Sequence, residues 1–91
     1  MARITTKDLD GVQERLNLTV KNFGIEFIWN SRNGYHCIDY RMEREDGEKS
    51  FDTFRTGLSK SEAYELMNAM SWISQIANEK FKKEGIFGFF I

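Results

Sequence analysis

His36 and Cys37 stand side by side, a pair of residue types that can act as base and nucleophile or as two metal ligands. Their setting argues against both roles. They fall in a stretch that alternates as a strand does, so their side chains diverge to opposite faces. Zinc takes three or four protein ligands, and this chain has one histidine and one cysteine. Cys37 reads as a small filler of packed space and His36 as an exposed strand residue. The carboxylates of Glu43, Glu45, Asp46 and Glu48 crowd one turn as a solvated charge run, without the spacing of an EF-hand loop. Ser59 and Ser61 read as helix-cap serines, not nucleophiles, because the one candidate base is a distant histidine. Gly34-Tyr35-His36 is no substitute for a glycine-rich phosphate loop. The expectation is a non-enzymatic protein with no cofactor and no metal.

Aromatic and basic side chains offer binding rather than catalysis. Phe27, Trp29, Tyr35 and Tyr40 on a sheet could stack nucleic-acid bases. However, Phe27, Trp29 and Tyr40 fall on the face that the closing helix is expected to cover. Tyr35 and His36, at a hairpin tip, are the freest to make outside contacts. The segment Ile86-Phe87-Gly88-Phe89-Phe90-Ile91 is the sharpest oddity: five of its six residues are apolar. An exposed patch of that kind marks an interface, so Phe87, Phe89 and Phe90 are candidate partner contacts. The alternative is that the segment folds back under the closing helix.

The elements that position these residues can be read from turns and periodicity. Asn33-Gly34 is the strongest short hairpin signal, because a type I′ turn needs positive φ at both central residues. A turn there sets Ile25 against Met42, Phe27 against Tyr40 and Trp29 against Ile38, all on one face. Glu26 and Arg41 meet on the other. The strands run about Ile25–Asn30 and Tyr35–Arg44. Asp46-Gly47 marks a second turn before a third strand at about Lys49–Thr56. A two-residue loop there pairs Met42 with Phe51; a three-residue loop pairs Arg44 with Glu48 and turns Phe51 away from the core. Burying Phe51 is worth about 2 kcal/mol and an exposed ion pair well under 1, which favours the two-residue loop.

Helices flank the sheet. Thr5-Thr6 precede an apolar repeat Leu9, Val12, Leu16, a helix over about Lys7–Leu18. Ser59-Lys60-Ser61-Glu62 is a capping box opening a long helix to about Glu84, with an apolar stripe at Ala63, Leu66, Met67, Met70, Ile73, Ala77 and Phe81. A helix of ~25 residues is about 37 Å long and a strand of ~7 about 23 Å. The closing helix therefore overhangs the sheet, and Trp72, Ile76 and Phe81 need another partner. The predicted fold is α+β, a single αβββα domain over residues 1–91 with an apolar C-terminal tail.

Composition bounds the partners. A formal net charge of −1 exerts no global pull on nucleic acid or anionic membrane. There is no apolar run of membrane-spanning length and no signal-peptide core at the start. One cysteine allows no internal disulfide and fits a reducing compartment. The expected location is cytoplasmic.

Two resemblances add to this reading. Glu14-Arg15-Leu16-Asn17, Gly34-Tyr35-His36, Tyr40-Arg41-Met42 and Gly57 through Met67 resemble short accessory proteins of tailed phages and prophages. Those have a leading helix, a glycine- and tyrosine-rich sheet and a closing helix that opens Thr/Ser-Lys-x-Glu, and they carry no established activity. The resemblance implies a host-cell cytoplasmic location and a host protein as partner, such as a defence enzyme that is inhibited. Tyr40-Arg41, Asp46-Gly47, Thr53-Phe54, Thr56 and Lys60 through Ala63 are similar to the arm-type DNA-binding domain of phage integrases, whose three-stranded sheet enters the major groove. That resemblance implies DNA contacts at Arg41, Arg44, Lys49 and Arg55. The helix–sheet–helix order also matches double-stranded RNA-binding domains. Protein–protein binding is thus the first expectation, with a homodimer through the closing helix and tail as one form. Nucleic-acid binding through the exposed sheet face is the alternative.

Overall fold

The computed structural model describes residues 3–84, with side chains to residue 80. Helix α1 (Thr6–Val20) leads through a single 3-10 turn (Lys21–Phe23) into strands β1 (Ile25–Arg32), β2 (Tyr35–Glu43) and β3 (Lys49–Leu58), and helix α2 (Lys60–Glu84) closes the order. The sheet is antiparallel, in the order β1-β2-β3. This is the α+β architecture expected from the sequence. No helix among the described residues is long and apolar enough to cross a membrane.

Local chemistry starts both helices. The Thr5 hydroxyl accepts the Asp8 N–H at 3.2 Å while the Asp8 carboxylate accepts the Thr5 N–H at 2.9 Å, a reciprocal cap for α1. Ser59 and Glu62 repeat the arrangement at 3.1 and 3.0 Å for α2. The first turn of the sheet is equally explicit. Asn33 and Gly34 both adopt positive φ, 53° and 80°, as the mirror-image turn requires. The resulting register pairs Ile25 with Met42, Phe27 with Tyr40, Trp29 with Ile38 and Glu26 with Arg41, as the turn dipeptide predicts.

The second hairpin takes the three-residue loop, not the two-residue one. Arg44 N–H donates to Glu48 C=O at 2.7 Å, and Glu43 pairs with Lys49 and Arg41 with Phe51. Gly47 is left-handed at φ 86°, while Asp46 is not. Its carboxylate instead accepts the Glu48 N–H at 3.0 Å. That bond favours a single left-handed residue after an ordinary turn, and the loop gains one residue. Phe51 is consequently 57% exposed. The sheet recovers its apolar face further on. The register shifts between Asp39 and Ile38 and again between Ile38 and His36, β-bulges that swing Phe54 to within 6.0 Å of the Phe27 ring and return Leu58 to the core. The expected value of burying Phe51 was outweighed because Phe54 supplies the aromatic on that face.

The core joins Leu9, Val12, Leu16 and Val20 of α1 to Ile38 and Leu58 of the sheet and Ala63 and Met67 of α2. Helix α1, not α2, lies along β1, and α2 packs chiefly on α1, touching β2 and β3 less. The reason is visible at the rim of β1. Asn17 donates to Phe27 C=O at 2.9 Å and accepts Phe27 N–H at 2.7 Å, and Gln13 accepts Trp29 N–H at 2.8 Å. Trp29 Nε1 donates to Asp10 at 2.8 Å. Backbone groups of an edge strand are thereby satisfied by amide side chains one turn apart on α1. Asn17→Ala removes two of these bonds. We expect a loss of about 2 kcal/mol and faster hydrogen exchange at the Phe27 amide, read by NMR.

Candidate binding surfaces

The sheet face turned away from the helices is organised around one carboxylate. Asp39, on the central strand, is fully buried. Its Oδ2 accepts from Asn30 Nδ2 at 2.5 Å and Arg32 Nη2 at 2.8 Å, and its Oδ1 accepts from Thr53 Oγ1 at 2.9 Å. These donors come from β1 and β3, so one side chain ties all three strands. Sequence reasoning did not single out Asp39 as the anchor of this face. The available signal was Asn30 and Arg32, two positions apart and so on one face of β1 beside it. Cys37, also on this side, is buried, free and a filler as expected.

The four basic residues suggested for nucleic acid do not form a positive stripe. Arg41 lies 3.7 Å from Glu26 across the hairpin, both about half exposed. Lys49 stands opposite Glu43 in the register. Arg44 opens the second turn. Arg55 carries its charge near the Glu62 carboxylate. Each cation but Arg44 has an acid beside it, and phosphate binding depends on uncompensated positive charge.

The Glu62 carboxyl is held below its ordinary value by the Ser59 backbone N–H and then by the Ser59 hydroxyl, with the Arg55 charge adding and slight desolvation opposing. A depressed carboxyl favours the folded state above the unfolded-chain value, and the contribution disappears as pH falls through the lower folded value. The stability gap between the native chain and Glu62→Gln should therefore be largest near pH 7. It should close as pH drops below the ordinary value of 4.5, read from urea midpoints at successive pH values.

At the tip of the first hairpin Tyr35 is 59% exposed. His36, expected as an exposed strand residue, is not. It is half-buried, with its ring 5.8 Å from that of Trp29, because its strand position shares the face of Ile38 rather than the outer one. Phe87, Phe89 and Phe90 lie outside the described residues. Among the described residues no group of three or more His, Cys, Asp or Glu is placed to hold a metal.

Apolar exposure concentrates on α2. Trp72, Ile73 and Ile76 are 59%, 67% and 64% exposed. Residues at i, i+1 and i+4 form one continuous arc of a helix. Next to the arc, between α2, the end of α1 and the start of β1, lies an apolar groove of about 360 Å³ lined by Val20, Phe23, Ile25, Phe27, Ile73 and Ala77 among others. The exposure of Trp72 and Ile76 was legible in the sequence. The groove was not, because it depends on α1 occupying the rim of β1.

Fold and surface together define an αβββα protein whose two helices share one face of a three-stranded sheet. Comparison with protein-family models, with curated proteins and with solved structures returns no match.

Proposed function

We propose that this chain is a non-enzymatic protein-binding module of the small phage-accessory kind, acting on a host protein, for instance by inhibiting a defence enzyme. One observation carries the reading: three large apolar side chains, Trp72, Ile73 and Ile76, each stand more than half exposed on one arc of α2. Large aromatic and aliphatic residues grouped on a surface are the usual anchors of protein interfaces. Tyr35 at the hairpin tip is a second exposed aromatic. The phage and host elements rest on the sequence resemblance; the apolar arc supports binding to protein rather than to nucleic acid, as does the pairing of Arg41 with Glu26.

The test compares the native chain with Trp72→Ser/Ile76→Ser. Both positions are exposed, so the variant should keep its folding stability within the roughly 0.5 kcal/mol per site typical of surface changes. A host protein captured stoichiometrically by the native chain, rebuilt from purified components and weakened at least tenfold by the variant is the expected result. Affinity for duplex DNA or RNA that falls steeply with salt and is lost in Arg41→Ala would overturn it.

A further inference from the structure

We propose that two copies of this chain cover each other's apolar arc, α2 lying against α2 in antiparallel order. The proposal rests on the reading of that arc as a binding surface and adds its resting occupant: self-association and host binding compete for the same side chains. Helix α2 presents two different faces. Ala63, Met67 and Ser71 are buried against the rest of the chain. On the opposite side Glu62, Glu65, Ala69, Trp72, Ile76 and Glu79 are all exposed. They follow one another at alternating steps of three and four residues, the spacing of a seam between two packed helices. The middle of that seam is apolar, and the exposed Ile73 widens it.

Charge decides the direction. The exposed charges before Ala69 are Glu62 and Glu65, whereas Lys80 stands beyond Ile76, and Lys82 and Lys83 follow it in the sequence. A parallel pair would set Glu62 and Glu65 of one copy against the same acids of the other, a repulsion at close range. Reversal removes it and brings the acidic start of each helix beside the basic end of its partner. It also sets the two helix dipoles in opposition. The surface is thus complementary to itself, as an interface about a twofold axis must be.

Size fixes the register. Centring the pair between Trp72 and Ile73 sets the small Ala69 of each copy level with the large Ile76 of the other, and Glu65 level with Lys80. The two indoles then meet at the axis, where buried aromatic side chains contribute most to an interface. Glu79 falls level with Leu66, so no acid of this face is level with another. The backbone of α2 is satisfied within the helix, so the contact is made by side chains alone. Three large apolar residues a side make it smaller than a permanent interface. The pair therefore dissociates in the micromolar range and yields the arc to a host protein that binds more tightly.

The experiment uses the purified full chain with no other protein present. Expected is a light-scattering mass of two chains at high concentration that falls to one chain on dilution. Trp72→Ser/Ile76→Ser should weaken the pair at least tenfold while its circular dichroism stays native. Glu65→Lys should weaken it at least threefold, and Glu65→Lys/Lys80→Glu should restore it. Ala69→Cys and Ile76→Cys chains, mixed, should be joined to each other by a short bis-maleimide, and Ala69→Cys alone should not; Cys37 is buried and does not compete. A one-chain mass at every concentration would overturn the proposal, and so would a two-chain mass indifferent to Trp72→Ser/Ile76→Ser or Ala69→Cys joined to itself. A one-chain mass leaves the host-binding reading standing, whereas a two-chain mass with no host protein captured removes that reading alone.

Discussion

Ile38→Ala lowers stability by about 4 kcal/mol and the melting temperature by roughly 20 °C. Ile38 is fully buried on the central strand, between Trp29 of β1 and the bulged stretch of β3. It belongs to the same core cluster as Leu9, Leu16 and Met67, which are equally inaccessible. Truncation removes three carbons from a site walled by two helices and two strands, and a cavity that cannot collapse adds to the lost transfer energy. A domain of this size has only about 5–14 kcal/mol in total, so the variant should unfold at a much lower urea concentration. Phe51→Ala, whose side chain is more than half exposed, serves as the control and should shift stability by about 0.5 kcal/mol or less. Equal effects at the two positions would show that the second hairpin is paired one residue away from the register described.

Asp39→Ala costs about 3 kcal/mol. Deleting a buried carboxylate leaves Asn30 and Thr53 without their acceptor and frees Arg32 into solvent. Arg32→Ala is nearly as damaging, because the carboxylate is fully buried while the guanidinium is half exposed. It leaves a desolvated charge with neutral donors only, the more expensive kind of orphan. The double variant should cost less than the sum of the two, by about 1–2 kcal/mol, measured in a urea-denaturation cycle. A strictly additive result would mean that the ion pair contributes nothing and that Asp39 acts through Asn30 and Thr53 alone.

Much of this molecule was written in short-range signals. Asn33-Gly34 dictated the first hairpin and its register, Ser59 with Glu62 opened α2, and element lengths pointed to the uncovered side chains of Trp72 and Ile76. What escaped was decided at longer range. Asp46-Gly47 resembles a two-residue turn until the Asp46 carboxylate binds the Glu48 N–H, and periodicity cannot reveal bulges that repair the register afterwards. Asn17 and Gln13 look like solvent-facing polar residues until α1 is set beside β1. Their spacing of four, flanking the apolar stripe, was the one hint. His36 was misjudged for the opposite reason: a polar residue on the covered face finds room against a neighbouring ring.

Among the described residues, the amide clamp from α1 makes β3 the more open border of this sheet. Asn17 and Gln13 occupy the edge groups of Phe27 and Trp29 on β1, so a foreign strand joins more readily beside β3. Two copies meeting there would spend both their open borders on one another and present none to a third. The geometry thus favours a closed six-stranded pair over a growing ribbon. The bulges near Arg55 and the left-handed Gly57 at φ 72° shorten even that border to the stretch before them, where only a brief strand would fit.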